Sequence, residues 1–169
     1  MSAAITLAKV SADPAPGWIS LGPCPGRTDE GRDLDTDLAT ISASGADVLV
    51  TLTEQLELDE LGVGDLGQRA TARGFAWLHL PITDFGAPDA IWEAAWVQAG
   101  PLVRARVKEG GGVHLHCRAG CGRSGMITAR ILVELGVSPG EAIARVRAAR
   151  PCAIETAGQE AVVRSTIRL

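Results

Sequence analysis

The sequence predicts an α/β domain in which helices cover both faces of a central, mostly parallel twisted sheet. Short apolar segments of strand length alternate with longer segments of helical periodicity along the 169 residues. The content of 46% apolar and 21% charged residues is that of an ordinary globular chain. We expect one domain over residues 15–169, preceded by a weakly ordered segment over residues 1–14.

Four strands are predicted from short apolar runs that end at turn residues. The first run leads into a loop rich in proline and glycine, and the last run follows three consecutive glycines. The strands are predicted at 18–22, 47–52, 75–80 and 112–116.

Three helices are predicted in the first half of the chain, each followed by a glycine suited to a helix C-terminus. The first of them also has an acidic first turn, which favours a helix N-terminus. These helices are residues 35–44 before Gly45, a short helix between Thr53 and Gly62, and residues 65–73 before Gly74.

Four more helices are predicted in the second half. Pro88-Asp89 opens a helix over residues 89–109, in which Pro101 is expected to cause a kink or a split. The remaining three are residues 124–135, residues 138–149 with proline at the first position, and a last helix preceded by the capping box Thr156–Gln159.

Charge and composition exclude several classes of function. Sixteen basic and twenty acidic residues give a net charge of −4, so the chain is not a basic nucleic-acid binder. No apolar run is long enough to span a membrane, and the first ten residues do not have the form of a signal peptide. Four cysteines are too few for a disulfide scaffold, which predicts a cytoplasmic protein. No cluster has metal-ligand spacing, so neither a metal nor a cofactor is implied.

The segment after the last predicted strand carries the chemistry, and we call residues 117–123 the phosphate loop. Gly120 and Gly122 allow this loop to curl, so that backbone N–H groups and the following helix N-terminus form a cradle for a phosphate group. The same field favours the thiolate of Cys117, a nucleophile. The predicted phosphate-binding residues are Arg118, Ala119, Gly120, Cys121, Gly122 and Arg123.

The segment His116–Gly125 resembles the His-Cys-x5-Arg-Ser/Thr signature of cysteine-based protein phosphatases. Four flanking segments resemble the kinase-associated, cyclin-dependent-kinase-inhibitor-type members of the dual-specificity branch, namely residues 18–26, 32–37, 80–84 and 150–155. The resemblance implies a dual-specificity phosphatase fold over residues 15–169. It also implies hydrolysis of phosphotyrosine and of phosphoserine or phosphothreonine in proteins or peptides, through a cysteinyl-phosphate intermediate.

The resemblance also assigns roles to residues outside the loop. Asp84 matches the general acid, which lies on a separate segment that we call the acid loop (residues 81–88). Asp89 is the alternative, although it suits a helix start better. Ser124 would donate to the departing thiolate or cap the following helix, and His116 would hold the loop. Gln159 would orient the attacking water, or would belong only to its capping box.

Several alternatives remain open from the sequence. Cys121 either forms a protective disulfide with Cys117 or serves as a small apolar loop residue, with Cys24 and Cys152 as other possible partners. Arg145, Arg147 and Arg150 are expected on one solvated helix face. The alternative functions are a phosphate-binding module without catalysis, a phosphoinositide phosphatase, and an arsenate reductase or sulfurtransferase.

Overall fold

Five strands form one sheet in the computed structural model, which describes residues 3–169. The strands are β1 (Ala8–Ser11), β2 (Trp18–Gly22), β3 (Ala46–Thr51), β4 (Ala76–His79) and β5 (Gly112–His116). Their order across the sheet is β1-β2-β5-β3-β4. The pairs β2–β5, β5–β3 and β3–β4 are parallel, and only β1 pairs antiparallel, with β2. The predicted mostly parallel sheet is therefore confirmed.

Seven α-helices lie within the described residues, and wherever the sequence predicted a bound the observed one lies within two residues of it. They are α1 (Leu34–Ala43), α2 (Gln55–Glu60), α3 (Leu66–Ala72), α4 (Ala90–Lys108), α5 (Gly122–Glu134), α6 (Pro139–Ala149) and α7 (Ala157–Ser165). Pro101 lies inside α4, which continues through it as one helix, so the predicted split is wrong. Buried side chains on both sides of Pro101, Trp96 and Val103 among them, hold the two halves on the sheet.

The N-terminal segment is more ordered than the sequence predicts. Residues 8–11 form β1, and the side chains of Val10 and Ala12 are buried in the core, so weak order is the wrong description of this part of residues 1–14. Four residues are too few to show a clear alternating pattern, and β1 depends on its pairing with β2. The part of that prediction on residues 1 and 2 lies outside the described residues.

Apolar side chains fill both faces of the sheet. One cluster joins the sheet to α4, α5, α6 and α7, and the other joins it to α1, α2 and α3. This arrangement confirms helices on both faces. Among residues 3–169, no helix combines the length and the apolarity that crossing a membrane requires.

The parallel strands end at a common edge, and this edge positions the loops. His116 at the end of β5 is paired with Gly22 at the end of β2 and with Thr51 at the end of β3. The loops that follow these strands therefore meet above the carboxyl edge of the sheet, where ligands bind in open parallel sheets.

Candidate active site

In the phosphate loop, the carbonyl groups of residues 117–121 all accept hydrogen bonds from outside the cradle. Backbone N–H groups of Cys24 and Ile154 donate to the carbonyls of Arg118 (3.1 Å) and Cys121 (3.3 Å). The Arg150 guanidinium donates to the carbonyls of Ala119 (2.8 Å) and Gly120 (3.0 Å). His116 Nδ1 donates to the Cys117 carbonyl (3.2 Å), and Arg27 Nη1 also donates to the Arg118 carbonyl (3.1 Å). The N–H groups of residues 118–121 donate to no acceptor within the described part of the chain. Peptide units with their carbonyls fixed in this way leave those N–H groups available to an anion.

Gly120 is required by the shape of the loop. Its φ is +75°, a conformation that side chains rarely adopt, and a β-carbon there would collide with the backbone of Gly22 and Pro23. The loop after β2 therefore lies directly against the phosphate loop. Only glycine at position 120 allows this approach.

Cys117 and Ser124 lie together at the start of α5. The Cys117 side chain is buried, and its Sγ is 3.4 Å from the Ser124 hydroxyl oxygen. The residue at the N-cap of α5 is Cys121, so Ser124 lies within the first turn and does not cap the helix. The Gly122 N–H at this helix end donates instead to Glu155 Oε1 (2.7 Å). The sequence analysis did not single out Glu155.

Arg123 is buried and held by two side chains. Its two terminal nitrogens donate to the two carboxylate oxygens of Glu57 (2.7 and 2.8 Å), and Nη1 also donates to the Ile82 carbonyl (2.9 Å). Nη2 also lies 3.1 Å from Asp84 Oδ1. Nε has no acceptor in the described part of the chain, so this group is available to a phosphate oxygen.

Glu57 is a residue of the candidate site that the sequence analysis missed. Burial acts to raise its pKa, but hydrogen bonds from Arg123 and from the Glu54 N–H outweigh burial and keep the pKa below its usual value. Burial acts to lower the pKa of Arg123, but the hydrogen bond to Glu57 outweighs it and raises that pKa. The Glu57–Arg123 pair is therefore ionised and fixes the guanidinium. No local motif indicated it, because 66 residues separate the two.

The two candidate acids occupy different positions. The Asp84 carboxylate contacts Arg123 and accepts the N–H of Phe85 through Oδ1 (3.0 Å). Asp89 Oδ1 accepts the N–H of Trp92 (2.8 Å) as the N-cap of α4. Of the two, Asp84 is the one that the structure brings beside the phosphate loop.

His116 is the end of a buried chain of hydrogen bonds. Burial lowers its pKa to about 4, although the bond to the Cys117 carbonyl opposes this, so the ring is neutral at pH 7. Because Nδ1 donates to that carbonyl, Nε2 accepts from the Thr51 hydroxyl (2.8 Å). The Thr51 oxygen in turn accepts from Trp77 Nε1 (2.9 Å). The chain fixes the first carbonyl of the cradle.

Gln159 connects α7 to both loops of the site. Its side-chain oxygen accepts from the N–H groups of Glu155 (2.9 Å) and Thr156 (3.3 Å), and its amide nitrogen donates to the Gly86 carbonyl (3.2 Å). The predicted capping box is confirmed. In these contacts the amide holds the acid loop against α7.

The Arg118 side chain is partly exposed, whereas the Arg150 side chain supports the phosphate loop. The Arg118 side chain is 40% exposed, and its nearest carboxylate is that of Glu60 at 3.9 Å. Arg150 was expected on a solvated face, but its two bonds to the phosphate loop make that expectation wrong. The helical spacing of the arginines could not indicate this contact, because α6 ends before Arg150 and the chain turns towards the loop.

Cys121 forms a disulfide with Cys152, with the two Cα atoms 5.2 Å apart. The hypothesis of a Cys117–Cys121 disulfide is therefore wrong for this structure, and Cys117 is a free thiol or thiolate. The curled loop directs Cys121 to the segment after α6. Cys24 is also free, and burial raises its pKa to about 12, so it stays a thiol at pH 7.

Comparison with known proteins is consistent with this site. Residues 25–137, which include the phosphate loop and the acid loop, match the family model described as "Tc-R-P: Polymorphic toxin system, DSP-PTPase phosphatase".

Solved structures of phosphatases share the fold. A kinase associated phosphatase with its catalytic cysteine changed to serine is 24% identical, with a TM-score of 0.85, and the match covers 96% of this chain and 94% of that one. Tk-PTP in its active form is 29% identical, with a TM-score of 0.68 and coverage of 94% and 95%. PTPMT1 in complex with PI(5)P is 20% identical, with a TM-score of 0.68 and coverage of 94% and 94%.

Proposed function

We propose that this chain, which belongs to the DSP-PTPase phosphatase family of polymorphic toxin systems, removes phosphate from phosphorylated tyrosine and from serine or threonine in proteins. Membership in the family makes the chain a cysteine-based phosphatase of the dual-specificity branch, a phosphate monoester hydrolase that works through a cysteinyl-phosphate intermediate. The phosphoprotein substrate and the roles of individual residues are the proposed part.

In the first step, the phosphate loop binds the phosphate group of the substrate. The N–H groups of residues 118–121 and the Nε of Arg123 donate to its oxygens. The Cys117 thiolate attacks phosphorus, and the bond from phosphorus to the substrate oxygen breaks. Asp84, protonated beforehand, gives its proton to that oxygen, so a neutral alcohol or phenol leaves.

In the second step, water attacks the phosphorus of cysteinyl-phosphate. The Asp84 carboxylate accepts a proton from the water, and the bond from phosphorus to sulfur breaks. Ser124 donates its hydroxyl hydrogen bond to the departing Cys117 thiolate, for which its 3.4 Å separation from Sγ is suitable. Inorganic phosphate is released, and the thiolate and the protonated Asp84 are restored.

The single observation that carries this mechanism is the set of outward hydrogen bonds on the carbonyls of the phosphate loop. Donors that are oriented before the substrate arrives do not reorganise during the reaction, and this preorganisation lowers the barrier. The same loop favours an enzyme over a module that only binds phosphate, because Cys117, Arg123 and Asp84 lie together at it.

The disulfide of Cys121 with Cys152 bears on one alternative function and on the predicted location. The arsenate reductase alternative depended on Cys121 as the resolving cysteine for Cys117, whereas Cys121 is paired with Cys152. The cytoplasmic location stays a prediction, and reducing cytosol seldom retains a disulfide such as this one.

The test is hydrolysis of para-nitrophenyl phosphate and of matched phosphotyrosine and phosphothreonine peptides. Cys117→Ser is expected to abolish turnover, and Asp84→Asn is expected to lower kcat about 10²-fold. Cys24→Ala is the control for losing a second free thiol, because Cys24 bonds to the phosphate loop through its backbone, and Asp47→Asn is the control for losing a carboxylate outside the site. Turnover of peptides that survives Cys117→Ser would overturn the mechanism, and activity confined to phosphoinositides would overturn the protein substrate.

A further inference from the structure

A cavity of about 340 Å³ lies beside the acid loop and has no role in the proposed mechanism. Its walls come from the acid loop, from the end of β4, from the residue before α2 and from the first turns of α4. The lining includes Glu54, His79, Pro81, Ile82, Asp89 and Ile91. Its volume lies at the lower end of the range of ligand pockets, which suits a single long side chain.

The polar side chains of this cavity are two carboxylates, Glu54 and Asp89, together with His79 and Thr83. Asp89 uses Oδ1 to cap α4, and Oδ2 has no partner in the described part of the chain. Glu54 contributes a second carboxylate, which also caps α2. His79 already donates Nε2–H to the Thr53 carbonyl (2.8 Å). No lysine or arginine belongs to the lining, so no basic side chain there pairs with the carboxylates.

The N-termini of α4 and α2 face the same carboxylates and partly offset them. A helix N-terminus carries about half a positive charge, and it acts mainly within its first turn. α2 has only six residues, so its dipole is weaker still. Two full negative charges therefore exceed the positive potential of the helices, and the cavity favours a cation.

Most of the remaining lining residues are apolar. Ile91 is 81% exposed at the rim, and Pro81 and Ala95 add further apolar surface. The Trp92 indole N–H is already bonded to the Leu80 carbonyl (3.0 Å), so it offers no donor to the cavity. A cavity that combines apolar walls with two carboxylates matches a lysine or arginine side chain, which has an apolar stem and a charged head.

We propose that this cavity binds a lysine or arginine side chain of the substrate, close in sequence to its phosphorylated residue. The inference rests on the proposed phosphoprotein function and deepens it by naming a substrate class. The enzyme selects phosphorylated segments with a basic neighbour.

The position of the cavity fixes how near that neighbour is. Ile82 lines the cavity, and its carbonyl accepts from Arg123 Nη1 at 2.9 Å. Thr83 also lines the cavity and directly precedes Asp84. A single backbone segment, residues 82–84, therefore separates the phosphate site from the cavity. An extended peptide advances about 3.5 Å per residue, so the basic residue lies about one to three positions from the phosphorylated one.

The experiment compares phosphotyrosine peptides of alanine that carry one arginine at each position from −3 to +3 with peptides that carry norleucine there. We expect kcat/KM to be about fivefold higher with arginine at one or two positions, the upper end for an ion pair of exposed residues such as Glu54 and Asp89. Sodium chloride at 0.5 M is expected to remove most of this preference, because salt screens exposed charges.

Two isosteric variants test the residues. Asp89→Asn and Glu54→Gln remove the charges and keep amide oxygens that can still cap the helices. Each variant is expected to lower the ratio of kcat/KM for the arginine peptide to kcat/KM for the norleucine peptide at least twofold. The double variant is expected to bring this ratio close to one. Asp47→Asn is the matched control, whose ratio is expected to equal that of the wild type.

Two results would overturn the proposal. One is equal kcat/KM for the arginine and norleucine peptides in the wild type at every position. The other is a preference that both variants retain in full. Hydrolysis of para-nitrophenyl phosphate does not involve the cavity, so its absence in the wild type would identify a failure of the proposed function instead.

Discussion

The phosphate loop and the acid loop meet at Arg123, but the rest of the protein holds them very differently. Every carbonyl of residues 117–121 has a donor from outside the cradle, and a disulfide adds a covalent link. The acid loop is exposed at Asp84 and Phe85. Around these residues it contacts other elements through the Asp84–Arg123 ion pair and through the hydrogen bond from Gln159 to the Gly86 carbonyl.

This difference matches the work that each loop is proposed to do. Binding charge in a transition state requires donors that are already oriented, and this favours rigid support. Delivering a proton to different substrates requires a side chain that can adjust, and this favours few contacts. We therefore expect substitutions around the phosphate loop to cost both stability and activity, and those in the acid loop to cost mainly activity.

The largest effect is expected from Gly120→Ala. The new β-carbon would have a positive φ and would collide with the loop after β2. We expect a loss of about 3 kcal/mol of unfolding free energy and about 10²-fold in kcat/KM. Gly31→Ala is the control, since its φ is +66° but nothing lies within 4 Å, and only about 1 kcal/mol should be lost. Urea unfolding and para-nitrophenyl phosphate kinetics measure both, and equal effects in the two variants would contradict the explanation.

The next effect is expected from Cys152→Ser. The bond joins residues 31 positions apart, and its loss should lower the unfolding free energy by about 3 kcal/mol. Cys121→Ser and the double variant Cys121→Ser/Cys152→Ser should lose the same unfolding free energy, because all three variants lack the same disulfide bond. Urea unfolding measures this, with intact mass to count the free thiols. A wild type equally stable with and without a dithiol reductant would contradict the prediction.

Acid is expected to weaken the support of the phosphate loop. Burial lowers the pKa of His116 to about 4 and that of His114 to about 3, from an ordinary 6.5. Below pH 6.5 the unfolded chain takes up protons that the folded chain does not, so stability falls as the pH decreases towards 4. Each histidine contributes up to about 1.4 kcal/mol per pH unit. Urea unfolding at pH 7, 6 and 5 measures how steeply the unfolding free energy falls as the pH decreases. His116→Gln should remove about half of this slope. A wild-type slope near zero would refute it.

The smallest effect is expected in the acid loop, from Phe85→Gly. Phe85 has a φ of 58°, and its N–H donates to Asp84. Glycine adopts this φ freely, so unfolding free energy should change by less than about 1 kcal/mol. A freer backbone should hold Asp84 less well and lower kcat about threefold. Steady-state kinetics measures this, with Phe85→Asn as the control, because asparagine tolerates a positive φ. A kcat as high as that of the wild type would show that Phe85 does not position the acid.

The parts of the site that the sequence determined are local. The phosphate loop is one contiguous segment between a strand and a helix, and its glycines, cysteine and arginine indicate both a conformation and a chemistry. The strands β2–β5 and the seven helices could also be predicted, because apolar periodicity and the turn residues that end each element act over a few neighbours. The position of Asp84 came from the family resemblance.

The parts that only the tertiary structure decided depend on contacts between distant segments. Glu57 reaches Arg123 across 66 residues, Arg150 reaches the phosphate loop across about 30, and Cys121 pairs with Cys152 across 31. Strand β1 likewise exists because β2 offers an edge to pair with. No local pattern encodes these contacts, since each needs two segments that meet only when the sheet has formed. The sequence thus determines which groups bind phosphate, and the assembled fold determines what holds them in place.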